Sequence, residues 1–157
     1  MLKKLFIYIF PFFLISQCGF APMYSEKSDF NQNIFINSIE FEGDRKLNKY
    51  LEIYLSEYIS KKKDNGFNIK LITNYNKEVI AKDKTAKTTN YKLSSVTSVQ
   101  VSQKGKTIKE FSIKEQNNME NMSDKFEEQK YENDTKQNFA STISDKLISE
   151  LALLNDN

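Results

Sequence analysis

The sequence predicts an α+β domain, with two helices packed on one face of a four-stranded mixed sheet in the order β-α-β-β-β-α. Two observations carry this. Four runs between Asn33 and Lys114 are rich in β-branched and aromatic residues or alternate apolar with polar side chains, the pattern of half-buried strands. Two further stretches, Arg45 to Lys63 and Asp124 to Leu154, space their apolar residues by three and four, the pattern of amphipathic helices. No internal repeat or low-complexity block argues for a second domain, so residues 34–157 read as one unit.

The first strand covers Asn33 to Phe41 and is closed by Gly43 and Asp44. Its alternation slips between Ile36 and Ile39, which marks a bulge. In the first helix Leu47, Leu51, Tyr54, Leu55, Tyr58 and Ile59 form one stripe. Asp44 caps it, Lys61-Lys62-Lys63 suits its C-terminal dipole as a solvated end, and Asn65-Gly66 stops it. Phe67, Ile69, Leu71, Thr73 and Tyr75 alternate as a second strand. The third, about Lys87 to Gln103, lines up Thr89, Tyr91, Leu93, Ser95, Thr97, Val99 and Val101 on one face. Lys104-Gly105-Lys106 is a compact turn into a fourth strand, Thr107 to Lys114, and the last two strands form a hairpin. Glu115 to Ser123 reads as a polar loop. The final helix buries Phe139, Ile143, Leu147, Leu151 and Leu154; before about Thr135 it is polar, and Glu127-Glu128 there reads as solvated surface.

The chain begins with a different kind of segment. Lys3 and Lys4 precede an uncharged apolar run from Leu5 to Ile15, interrupted only by Pro11. That order of charge and grease is a secretory signal peptide, residues 1–17, too short to span a bilayer that needs about 20 apolar residues in a helix. Cys18, the single cysteine, falls where cleavage would leave it as the first mature residue. It is either an unpaired thiol or the acylated cysteine of a bacterial lipoprotein, and an exported chain has little use for a free thiol. Ile15 and Ser16 suit a lipobox, whereas Gln17 stands where Gly, Ala or Ser is usual. On the acylated reading Cys18 carries diacylglycerol and N-acyl lipid, which together anchor the chain in a membrane. Gly19 rather than Asp after the cysteine points, by the enteric sorting rule, to the periplasmic face of the outer membrane. Residues 18–33 then form the lipidated N-terminus and a tether, of which Ser25 to Asn33 is polar and patternless.

Charge and composition exclude several classes. Losing Lys3 and Lys4 with the signal leaves 21 basic against 21 acidic residues, a neutral mature chain and not a nucleic-acid binder driven by bulk charge. Arg45 is the only arginine, so recognition of phosphate by arginine forks is nearly excluded. The chain has no histidine, no phosphate-cradling glycine loop and no cysteine to spare, which removes imidazole catalysis, zinc-histidine sites and P-loops. The sequence therefore predicts a non-enzyme with no metal and no cofactor besides the covalent lipid.

Cys18-Gly19-Phe20-Ala21-Pro22-Met23-Tyr24 resembles the Cys-Gly-Phe-x-Pro-Leu/Met-Tyr opening of the LptE family, lipopolysaccharide-assembly lipoproteins of Gram-negative outer membranes. The length, element order and amphipathic last helix are similar as well. The resemblance implies a protein that plugs and helps assemble an LptD-type β-barrel and takes part in delivering lipopolysaccharide to the outer leaflet. A binding module of another envelope machine, such as a transporter accessory or a secretin pilot, is the alternative. A periplasmic enzyme with a minimal Ser/Lys or carboxylate site is a third reading. Lipopolysaccharide carries phosphates, so the candidate contacts are lysines near strand ends: Lys82, Lys84 and Lys87 before the third strand, and Lys104 and Lys106 at the hairpin turn. Loops of this kind could gather on one tip of the domain, near which the family is thought to bind lipopolysaccharide.

Overall fold

A computed structural model describes residues 34–59 and 65–155. The signal segment, Cys18, the tether and Lys61-Lys62-Lys63 lie outside the described residues.

The chain runs β1 (Ile36–Gly43), α1 (Arg45–Leu55), a 3₁₀ turn (Ser56–Tyr58), β2 (Phe67–Lys82), β3 (Thr88–Gln103), β4 (Lys106–Glu120) and α2 (Lys125–Asn155). The strands lie side by side in the order β1-β2-β3-β4, with β1 parallel to β2 and the other pairs antiparallel. This is the α+β arrangement that the periodicity predicts. The crossover α1 makes the parallel pair possible, and the two hairpins make the rest.

The slip in β1 is real: its register with β2 shifts between Ile36 and Ser38. The extra residue lets Ile36 be buried while Ile39 and Phe41 still turn toward the core. At the far end of β1 the chain must approach β2 closely. Gly43 has φ of +97°, and a Cβ there would stand 1.8 Å from the Thr73 carbonyl oxygen. Only glycine fits such a place. Asp44 follows as the N-cap of α1, its Oδ1 accepting from the backbone of Lys46 at 3.1 Å and of Leu47 at 2.8 Å.

α1 is shorter than the apolar stripe suggests. It ends at Leu55, where Ser56 Oγ donates to the Ile53 carbonyl at 2.7 Å. Ile59 is extended and bridges Ile36 in parallel, so the chain leaves the helix to cover the start of the sheet edge. Leu47, Leu51 and Leu55 alone supply the fully buried face, and Ile59 is exposed.

β4 is longer than the sequence suggests, because Glu115 to Glu120 continue the strand instead of forming a loop. Their open face is solvated and tolerates polar side chains, while on the helix side each odd position finds a partner. Lys146 pairs with Glu115, Tyr131 meets Asn117, and Met119 is buried. The β3–β4 connection is the tight turn expected, with Lys104 (φ +51°) and Gly105 (φ +78°) both left-handed, as a two-residue type I′ hairpin requires.

The core lies between the sheet and both helices. Ile36, Phe67, Ile69, Leu71, Val99, Val101 and Ile113 meet Leu47, Leu51 and Leu55 of α1 and Phe139, Ile143, Leu147 and Leu151 of α2. Among the described residues no helix is long and apolar enough to cross a membrane.

Candidate functional site: two lysine tips and a polar seam

The hairpins decide where the candidate lysines stand. Lys82, Lys84 and Lys87 flank the β2–β3 turn at one end of β3, and Lys104 and Lys106 flank the β3–β4 turn at the other. The 16 residues of β3 separate Lys87 from Lys104, about 50 Å at the rise of a strand. The five lysines therefore form two tips and do not gather on one. Antiparallel pairing puts successive turns at opposite ends of the sheet, which corrects the expectation of a shared tip.

The β2–β3 tip is the more organised. Asp83 Oδ1 accepts from the Thr85 backbone at 2.8 Å, the Thr85 hydroxyl at 2.7 Å and the Lys87 backbone at 3.0 Å. The Thr85 hydroxyl, and then the two backbone N–H groups, hold the Asp83 carboxyl below its ordinary range. Ala86 sits at φ +63° to close the turn. With its oxygen engaged by the turn itself, Asp83 fixes the backbone that displays three exposed lysines. None of the five tip lysines is ion-paired with another described residue. Many lysines elsewhere are: Lys70, Lys109, Lys146, Lys77 and Lys136 all meet carboxylates.

The sequence did not signal a polar seam between the sheet and the first half of α2. Lys77 Nζ donates to Glu128 at 2.9 Å and to Glu132 at 3.1 Å, and it lies 4.6 Å from the Tyr91 ring centroid. Burial alone would lower the Lys77 ammonium, but the bonds to Glu128 and Glu132 outweigh it and hold it above its ordinary range. Lys125, and then Lys77, keep the Glu128 carboxyl below its ordinary range. Lys136 bonds Asp44 at 3.0 Å and lies 3.8 Å from the Tyr75 ring centroid. Burial first, and then Glu132 and Asp44, push the Tyr75 phenol well up. Glu127 is exposed as the sequence suggests, but Glu128 is buried because Lys77 rises from the sheet beneath it. The signal that could have found this is the odd position of Lys77, in register with the buried face of β2.

The open face of the sheet carries a shallow depression lined by Lys70, Ile72, Ser98, Gln100, Glu110 and Ser112. Glu110 is tied to Gln100 at 2.6 Å and Lys70 to Glu42. Among the described residues no group of three or more His, Cys, Asp or Glu could hold a metal ion.

No protein-family model and no curated protein matches the chain. Solved structures do. The rare lipoprotein B of Shewanella oneidensis is similar with a TM-score of 0.58 at 14% identity, over 76% of this chain and 99% of that one. A minor lipoprotein of Acinetobacter baumannii gives 0.57 at 10%, over 78% and 95%. A lipoprotein of Caulobacter crescentus gives 0.55 at 12%, over 77% and 90%. At such identities what is shared is the fold: the chain has the two-helix, four-strand architecture found in these bacterial lipoproteins.

Proposed function

We propose that this chain is an outer-membrane lipoprotein of the LptE kind. It is anchored through acylated Cys18, plugs and helps assemble an LptD-type β-barrel, and takes part in lipopolysaccharide delivery. The observation that carries the reading is the opening Cys18-Gly19-Phe20-Ala21-Pro22-Met23-Tyr24 ahead of a domain whose fold is that of several bacterial lipoproteins. The heptapeptide is read from the sequence and the fold from the elements between Ile36 and Asn155, so the two are separate supports.

The deciding experiment is purification of the tagged protein from detergent-extracted membranes. A stoichiometric large outer-membrane β-barrel is expected to copurify. Recovery of a transporter or a secretin instead would replace the reading with that of a module for another envelope machine. The two lysine tips are then separable for lipopolysaccharide. Lys82, Lys84 and Lys87 changed together to glutamate, and Lys104 and Lys106 changed together to glutamate, act about 50 Å apart. One set is expected to weaken lipopolysaccharide binding while folding and barrel association persist. Unchanged binding in both well-folded variants would remove the lysine tips from the site.

A further inference from the structure

α2 is one continuous helix, but its two halves are held in different ways. From Phe139 onward it buries Ile143, Leu147 and Leu151 in the main core. Across its first ten residues, 125–134, the only buried side chain is Glu128. Phe126, the one large apolar residue near the start, is 71% exposed. Polar bonds on two sides fasten this segment to the sheet. On the β2 side Lys77 reaches Glu128 and Glu132. On the β4 side Tyr131 accepts from Asn117 Nδ2 at 3.3 Å and reaches the Asn118 carbonyl at 3.5 Å.

Between these fastenings lies something that the rest of the protein does not use. Leu93 of β3 pairs with Lys77 on one side and Asn117 on the other, and Met119 pairs with Tyr91. Leu93 and Met119 are 0% and 1% exposed, yet neither belongs to the main core cluster. Further along β3, Ser95 and Thr97 are buried with hydroxyls that have no hydrogen-bond partner among the described residues. The Lys77 and Glu132 side chains keep 26% and 23% of their surface exposed, so water can take over these few ionic and amide bonds as the segment lifts, and a contact of this kind over a small apolar patch opens at lower cost than one made of interlocked leucines.

We propose that residues 125–134 form a strap that lifts from the sheet as a unit while α2 beyond Phe139 stays packed. Lifting uncovers Leu93 and Met119 at the same end of the sheet as the β2–β3 turn. The device is conformational and does not depend on the proposed partner or ligand.

Two readouts on the full chain in detergent test it. In hydrogen exchange, backbone amides of residues 129–134 are expected to exchange about 100-fold faster than those of residues 140–151, a gap wider than fraying at a capped helix start. Peroxide oxidation of Met119 is expected to track the strap and not global unfolding. Lys77→Leu removes the ammonium shared by Glu128 and Glu132. It should speed both readouts about tenfold and leave the amides of residues 140–151 unchanged. The double variant Lys77→Leu/Glu128→Leu replaces the ionic fastening by an apolar one and should slow both readouts below the parent. Equal protection along the whole of α2 in the parent chain would overturn the strap, and that comparison needs no variant to fold. Oxidation of Met119 only at the rate of global unfolding would overturn it as well.

Discussion

Asp44 joins two jobs in one carboxylate, and substitutions can separate them. One oxygen caps α1 through the backbone of Lys46 and Leu47, and the other bonds Lys136 of α2 at 3.0 Å. The Asp44 and Lys136 side chains are 23% and 11% exposed, so the pair is shielded enough for its loss to be felt. Asn at this position still caps the helix but presents an amide where Lys136 needs an acceptor. Losing a hydrogen bond to a charged group costs about 1.5–3 kcal/mol. Asp44→Ala loses the cap as well, for roughly another 1 kcal/mol. The expected order of stability in urea unfolding at pH 7 is parent, then Asp44→Asn, then Asp44→Ala, with about 2.5–4 kcal/mol between the ends. The pH dependence has a definite sign. Burial would raise the Asp44 carboxyl, but the Leu47 backbone bond and Lys136 outweigh it and leave it below its ordinary range. A carboxyl depressed on folding stabilises above its unfolded pKa, near 4, and that stability is lost as the pH falls through the folded value. The gap between the parent and Asp44→Asn should therefore narrow below about pH 4. If Asp44→Asn matches the parent at pH 7, the link to Lys136 contributes nothing and the reasoning fails.

Three further outcomes are expected. Leu147 is fully buried between α2 and the sheet, so Leu147→Ala should cost about 3–4 kcal/mol and lower the thermal midpoint by roughly 12 °C; an unchanged midpoint would mean that this face is not packed in the isolated protein. Gly43→Ala forces a Cβ onto the Thr73 carbonyl at a φ of +97°, and a loss of at least ~2 kcal/mol should appear in the same melt, against little change for Gly105→Asn in the open hairpin turn. Mass spectrometry of the purified N-terminus should find acylated Cys18, and Cys18→Ser should block that processing while leaving the thermal midpoint of the domain unchanged.

The sequence made some features legible and hid others for physical reasons. The strand-helix-strand-strand-strand-helix order was readable because each element keeps its own period: Phe67 to Tyr75 and Leu93 to Val101 keep a two-residue period despite the outward Ile72 and Val96, and Leu47, Leu51 and Leu55 repeat every four. Even the β1 bulge was visible, since a two-residue period cannot place both Ile36 and Ile39 on one face. The end of α1 was not readable. Tyr58 and Ile59 continue the helical spacing, and only the bridge from Ile59 to Ile36, a long-range contact, draws them out of the helix. The extension of β4 was hidden by polarity, because the partners that make Glu115 and Asn117 acceptable on the inner face come from Lys146 and Tyr131 of a later helix. Glu128 looked solvated for the same reason. An ion pair across 51 positions of sequence leaves no trace around Glu128 itself, and its one hint lies at the other end, in the odd position of Lys77 on the inner face of β2.

Topology also distinguishes the two lysine tips. Ile34 and Phe35 enter the domain beside Phe67, whose backbone donates to the Phe35 carbonyl at 2.8 Å. That is the end of the sheet where Asn68 pairs with Ser102, next to the turn that carries Lys104 and Lys106. The Lys82, Lys84 and Lys87 tip stands the full length of β3 further along the domain. It differs from the near tip in how its backbone is held: Asp83 builds a rigid turn there, and a fixed backbone displays its charges at lower entropic cost than a loose one.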